Sequence, residues 1–514
     1  MGICHSIKNK KQIKPQQAAK QPHKRFSLNV ETSIVKKIRR SVPNNLAEVQ
    51  LTYFNAKFNE AKNVGDLKAE NPFKSDFKPI KRLGEGGFGK VVLAKRRSND
   101  TERAIKIISK HDYVGNQYKR EVNILKELNH PNVLRYYGSY EHGSRVYLVT
   151  EFCDGKELLA DIVQKGQVTE KQAQGYFIEI FQALCYLHSR NIVHRDLKPE
   201  NILIENETKR VKVIDFGLSK KTRRRNSKMR SEVGTWYYSS PEVDEGYYTE
   251  KCDIWSVGVI LYLTFSGQLP FYASSTKELL KLKKTKDLDF KGHRWTRVSS
   301  KAKDLIASCL CKKEKHRISS LDALAHPWLN DKPNDEVILD HGLVGALYSY
   351  SKECRLINNI KYFVCSFYDY DKKEKELIDL FKLIDTDKNG EISRAEFKDA
   401  FGDNLGVFRA YNLDIEDVDT LFDHIDLDCS GGIDFLEFLF AVKNYSDTFT
   451  RESLKSAFVE LANENAFIDI KSLGRALGAN IPANEWALVL DNYDKNKDKK
   501  IDFEEFLNIF KVKK

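Results

Sequence analysis

The sequence predicts an α+β domain over residues 77–329 followed by an all-α domain over 373–514. Three observations carry this. First, short apolar runs rich in β-branched residues recur between turns: Val91-Val92-Leu93-Ala94, Val146-Tyr147-Leu148-Val149 and Val211-Lys212-Val213-Ile214. Second, helical spacing interleaves with them at Glu121, Val122, Ile124, Leu125 and Leu128, and takes over at Asp253-Ile254-Trp255-Ser256-Val257-Gly258. Third, beyond residue 373, twelve-residue loops rich in oxygen side chains alternate with helical apolar patterns. An extension (1–76) and a junction (330–372) complete the division.

A length of 514 residues suits two to four domains. With 41% hydrophobic and 31% charged residues the chain is of the globular class. No apolar run reaches the roughly 18 residues a membrane span needs. Nine scattered cysteines without a CxxC pair point to free thiols in a reducing compartment. The net charge of +12 begins at the front: Lys8, Lys10, Lys11, Lys14, Lys20, Lys24 and Arg25 all precede the first acid, Glu31. Nucleic acid and an anionic membrane both suit such a tail. Met1-Gly2-Ile3-Cys4-His5-Ser6 decides for the membrane, because it fits the myristoylation signal on Gly2. Myristate alone binds marginally, and Cys4 as a palmitoyl site and the lysines supply further anchors. The expectation is a cytoplasmic protein held peripherally on the membrane, with no nucleic-acid partner.

In the first domain, Leu83-Gly84-Glu85-Gly86-Gly87-Phe88-Gly89 precedes a strand beginning at Val91, so the glycines read as a strand–turn–strand closing over phosphates. Lys106 follows on the next strand, and Glu121 stands fifteen residues later on a helix, as its partner. In His194-Arg195-Asp196-Leu197-Lys198-Pro199-Glu200-Asn201, Asp196 is a base for an acceptor hydroxyl, Lys198 neutralises the moving phosphoryl group, and Asn201 offers oxygen to Mg²⁺. The apolar run before Asp215-Phe216-Gly217 delivers Asp215 as a further Mg²⁺ ligand. These ordered motifs, with Ser239-Ser240-Pro241-Glu242 and Arg317, resemble a complete eukaryotic-type protein kinase domain over residues 80–329. The resemblance implies a bilobal fold and a hinge at Glu151 and Cys153 that holds adenine, with Thr150 as gatekeeper. Lys198 implies Ser/Thr specificity. Glu157, just past the hinge, reads either as a selector of basic substrates or as a helix N-terminal acid. The basic stretch 220–230 reads first as a solvated loop, with Thr222, Ser227 and Ser231 as phosphorylation candidates.

In the second domain, Asp385, Asp387, Asn389, Glu391 (through its carbonyl) and Glu396 stand at calcium-ligand positions of an EF-hand loop over 385–396. Asp426, Asp428, Ser430, Asp434 and Glu437 do so over 426–437, and Ile392 should pair with Ile433 between the two loops. A third loop, at 462–473, lacks acidic first and last ligands, is expected to be one residue short, and reads as kept for packing. The fourth, 494–505, offers Asp494, Asn496, Asp498, Lys500 (carbonyl), Asp502 and Glu505, but Lys499 replaces the turn glycine. Four hands make a two-lobed, calmodulin-like domain. In the junction, Leu343, Val344, Leu347, Leu356, Ile357, Ile360, Phe363, Val364 and Phe367 continue one helical spacing among basic residues, which reads as the sensor's own target helix.

Kinase, junction and four hands in one chain resemble the calcium-dependent protein kinases of plants and protists over residues 77–514. That resemblance implies a monomeric, ATP- and Mg²⁺-using Ser/Thr kinase, held off at low calcium through the junction and released when Ca²⁺ fills the hands. Its partners would be protein substrates.

Overall fold

The β-branched runs pair in the way their alternation requires. The computed structural model describes residues 72–510 apart from 87–88, 98–99, 111–116, 165–167, 223–235, 247, 331–340, 352, 367–374, 403–414, 428–429, 444–448, 464 and 478–480. Gly2, Cys4, Gly87, Phe88, Ser227, Ser231, Phe367 and Asp428 therefore lie outside the described residues. Strands β1 (Phe77–Gly86), β2 (Gly89–Arg96), β3 (Glu102–Ser109), β4 (Tyr136–His142) and β5 (Arg145–Glu151) form one antiparallel sheet in the order β1-β2-β3-β5-β4. Val92, Ala94, Ile105, Tyr147 and Val149 of this sheet close on Phe73 and Phe77. Phe73 belongs to a helical turn, Pro72–Asp76, and its ring stacks on Phe77 and Tyr147 at 5.4 and 4.9 Å. The packing of this lobe thus reaches back beyond residue 77.

The second lobe is helical. Its centre is the Lys251–Ser266 helix, which is apolar and buried nearly all round, as an interior helix must be. Gly258 allows the Ser300–Cys309 helix to approach it: a Cβ there would lie 2.7 Å from Cys309 Cβ. The Glu170–Ser189 helix starts at a capping box formed by Thr169 and Gln172 and buries Phe177, Ile180, Phe181 and Leu184. The 194–201 loop runs between strand Ile192–Val193 and strand Ile202–Glu205.

Two EF-hand lobes follow, each with its own core. The first pairs strands Glu391–Ser393 and Gly432–Asp434 through Ile392↔Ile433, as the sequence predicts. Among the described residues the second lobe joins its loops through a single bridge, Ile468↔Ile501. That bridge corrects the expected register of the third hand. Ile392, Ile433 and Ile501 each stand eighth in their loops, so Ile468 places the third loop at 461–472, a full twelve residues. Ala466 then falls sixth, with φ 59°, and Ser472 twelfth, where its Oγ accepts from Asp469 N at 3.0 Å. The first position is Leu461, fully buried.

The junction also differs from expectation: it is two helices, His341–Ser351 and Arg355–Ser366. Asn358 Nδ2 donates to Tyr350 O at 3.2 Å, so that this carbonyl at the end of the first helix accepts from both Asn358 and Glu353 N. Leu343, Leu347 and Tyr350 enter the core of the first EF lobe, whereas Leu356, Ile357, Ile360 and Val364 enter the second. Among the described residues no helix is long and apolar enough to cross a membrane.

Candidate active site and calcium loops

Between the two kinase lobes the sequence-predicted residues converge. β3 presents Lys106, whose Nζ lies 2.7 Å from Glu121 Oε1 and 2.8 Å from Asp215 Oδ1. Burial works against the charge of Asp215, but Lys106 beside it holds its carboxyl at about 2. Gly217 leaves a cradle at this point. A Cβ there would meet Asp215 Oδ1 at 3.3 Å, and Glu121 Oε2 and Lys106 Nζ at 3.5 Å.

The loop below carries Asp196, buried, with Lys198 Nζ 2.7 Å from its Oδ2. Burial opposes the Lys198 ammonium, yet Asp196 holds it above its ordinary range. Asn201 Nδ2 donates to Asp196 O at 2.7 Å, which commits the nitrogen and leaves the amide oxygen as its ligand atom. A carboxylate and an amide oxygen are the hard donors Mg²⁺ takes, so Asp215 and Asn201 fit that ion. Bound there, Mg²⁺ and ATP supply the reactive phosphoryl group and neutralise its oxygens. The chain's own part would be to position it: Lys106 would face the phosphates, and Asp196 would receive the acceptor proton.

The resemblance to the kinase domain marks the helix beginning near Asp253 as the support of this loop, and the structure shows which side chain provides it. Asp253 accepts from His194 N at 2.9 Å and Arg195 N at 2.8 Å, and meets His188 Nε2 at 3.0 Å. Arg195 has φ 69°, and its Nε donates to Leu218 O. Glu242 pairs with Arg317, which is buried.

Around the nucleotide position, Leu83 is exposed and Gly84 has open space beside it. Glu85 and Gly86 pair with Lys90 and Gly89 across the hairpin. Gly89 is required by packing: a Cβ there would sit 2.2 Å from Ile107 O of β3. Val91 pairs with Lys106 across β2 and β3. Thr150 Oγ1 donates to Ala104 O at 3.2 Å. The Glu151 carboxylate accepts from Arg135 N at 2.8 Å and pairs with Lys212, so its side chain serves the hinge itself. Cys153 is buried just beyond.

In the first EF loop, carboxylate oxygens of Asp385, Asp387 and Glu396 lie within 4.8 Å of one another. Glu396 accepts from Thr386 N and Asp387 N through Oε1 and from Ser393 N through Oε2. Asn389 Oδ1 accepts from Glu391 N. Burial pushes Asp385 up to about 8, with the neighbouring Glu396 and Asp387 adding to it; a divalent cation there would favour the ionised carboxylate. The donor set is all oxygen and fits Ca²⁺. The second loop repeats the frame: Asp426 accepts from Ser430 N and Gly431 N, and Glu437 from Leu427 N and Asp434 N. The fourth does as well. Asp494 accepts from Lys499 N, Asn496 from Asp498 N, Asp498 from Lys500 N, and Glu505 from Lys495 N and Asp502 N. Lys499 adopts φ 64° where Gly390 and Gly431 have 82° and 89°.

The sequence is similar to those of known proteins. Residues 77–329 match the protein kinase domain family, and residues 374–443 the EF-hand domain pair. Calcium-dependent protein kinase 4 of Plasmodium berghei is 34% identical, over 84% of this chain and 86% of its own. Calcium-dependent protein kinase 3 of the same organism is 33% identical over 84% and 79%. Calcium-dependent protein kinase 5 of Plasmodium falciparum is 36% identical over 71% and 64%. The α+β bilobal kinase fold joined to an EF-hand domain, the converged phosphotransfer residues and the folded calcium loops agree with these matches, and the chain belongs to the calcium-dependent protein kinases, serine/threonine kinases that use ATP and Mg²⁺ and answer to Ca²⁺.

Proposed function

We propose that the 341–366 segment restrains the kinase at low calcium, and that filling the hands draws it into the sensor. The observation that supports this is the position of the two junction helices. Leu347, Leu356, Ile360 and Val364 are each at most 1% exposed within the EF lobes. A buried side chain of this kind contributes about 1.5–3 kcal/mol, so four contribute roughly 6–12. Moving a two-state equilibrium from 1:99 to 99:1 takes about 5.5 kcal/mol. The mechanism requires the calcium form to bind the segment more tightly than the calcium-free form does. The test is a kinase ending at Asn330. Activity independent of Ca²⁺ supports the reading; an inactive fragment overturns it and makes the segment an activator.

The same protein is proposed to act as a monomer on the membrane, through myristate on Gly2, palmitate on Cys4 and the basic tail. Gly2→Ala should move it to the soluble fraction, and unchanged fractionation would remove lipidation from the account. A preference for basic residues near the target hydroxyl is proposed through Glu157. This residue ends the Gly155–Glu157 strand and pairs with Leu203, two residues past Asn201. Comparing peptides with Arg or Glu at each position before the target serine tests it.

A further inference from the structure

We propose that the first calcium loop is also the surface by which the sensor grips the kinase, with the end of the Glu170–Ser189 helix as its receptor. This rests on the regulatory reading above and names the contact that it lacks. Positions five to seven of the loop are Asn389, Gly390 and Glu391. Asn389 O accepts from Ser189 Oγ at 3.1 Å. The Glu391 carboxylate pairs with the Arg190 guanidinium. Gly390 lies against Tyr186, where a Cβ would come 2.2 Å from a ring carbon. Just before the loop, Lys382 Nζ lies 3.5 Å from Glu179 Oε1. Gly431, the matching turn residue of the second loop, has nothing within 4 Å of a built Cβ. The closest approach at a turn glycine therefore falls on the first loop, while Ser430, Asp434 and Leu436 of the second hand line a cavity beside it with Arg190 and Glu391.

The loop uses opposite sides of the same residues for two tasks. Asn389 holds the loop together through Oδ1 and meets the kinase through its backbone oxygen. Glu391 offers its carbonyl to an ion, and its side chain goes to Arg190. The outward shape is thus set by how the loop folds around its inward oxygens.

Tyr186 carries the contact onward. Arg190 lies over its ring at 4.7 Å, and its Oη accepts from Asn129 N at 2.6 Å and reaches Glu127 O at 3.3 Å. Glu127 and Asn129 follow directly on the Gln117–Lys126 helix, which presents Glu121 to Lys106. Dock, Tyr186 and nucleotide lysine are contiguous.

Linkage makes the coupling reciprocal: what the dock adds to calcium binding, calcium returns to the dock. The test is a calorimetric Ca²⁺ titration of the full chain carrying Glu437→Gln and Glu505→Gln, which leaves the first loop with an intact ligand set. Adding Arg190→Glu should raise the calcium midpoint about fivefold. Arg190→Glu with Glu391→Arg should return it to within about twofold of the parent, since the opposed charges are restored. An unchanged midpoint in Arg190→Glu overturns the proposal, as does a swap that fails to restore it. The kinase ending at Asn330 lacks the sensor altogether, so its inactivity would sink the inhibitory reading without bearing on this midpoint.

Discussion

Asp253→Asn changes one atom of a fully buried side chain and probes how the catalytic loop is held. Asp253 Oδ1 accepts from Arg195 N, and Oδ2 from His194 N. Arg195 adopts φ 69°, a left-handed conformation that costs a non-glycine residue about 1–2 kcal/mol. An amide in either orientation turns a donor toward one of these backbone N–H groups. The N–H left without an acceptor costs about 1–3 kcal/mol, and the bond that survives loses its charge assistance. This matches or exceeds the strain that the contact restrains, so the loop is expected to shift. Asp196 follows Arg195 directly, and a displacement near 1 Å at a reacting group costs on the order of 100-fold in rate. The expectation is therefore a kcat about 100-fold lower, with KM for ATP within about threefold of the parent, because Lys106, Glu121 and Asp215 sit on other elements. Steady-state peptide phosphorylation at saturating calcium, beside a thermal melt, reads both. A kcat within about threefold of the parent in a normally folded variant would refute the reasoning.

Asp196→Asn should lower kcat by about 10²–10⁴-fold while a fluorescent ATP analogue still binds with parental affinity. Lys499→Gly removes a left-handed non-glycine residue worth about 1–2 kcal/mol. It should tighten Ca²⁺ binding at the fourth loop, read by calorimetry with Glu396→Gln and Glu437→Gln in place. Phe73→Ala should cost about 3–5 kcal/mol and lower the thermal midpoint of the kinase domain, since the ring is fully buried between Phe77 and Tyr147.

What could be read from the chain was what chemistry fixes at short range. Phosphotransfer needs Asp196 and Asn201 five residues apart on one loop, and a calcium loop needs its acids at set positions; neither depends on distant packing. The third hand was not legible through its ligands because neither its first position, Leu461, nor its last, Ser472, is an acid. Ile468, in the place of Ile392, Ile433 and Ile501, was the available signal. The junction break escaped because apolar spacing continues from Leu343 to Val364, and periodicity does not show that two lobes divide the stripe. Tyr186, Ser189 and Arg190 gave no signal at all: their partners lie some 200 residues on, as with Ser189 and Asn389.

The register of the third loop bears on how steeply this kinase can respond. Paired hands share strain through the bridge between their loops, so an ion in one prepares the other. In the second lobe that bridge ends on a loop whose first position is the buried Leu461, which has no side-chain oxygen to give. An ion entering at 494–505 would therefore meet a neighbouring loop with no acid at its first or last position, and the expectation for that lobe is a shallow, one-site curve. Steepness in the calcium response would then arise between the 385–396 and 426–437 loops, or from the two lobes closing on their separate junction helices.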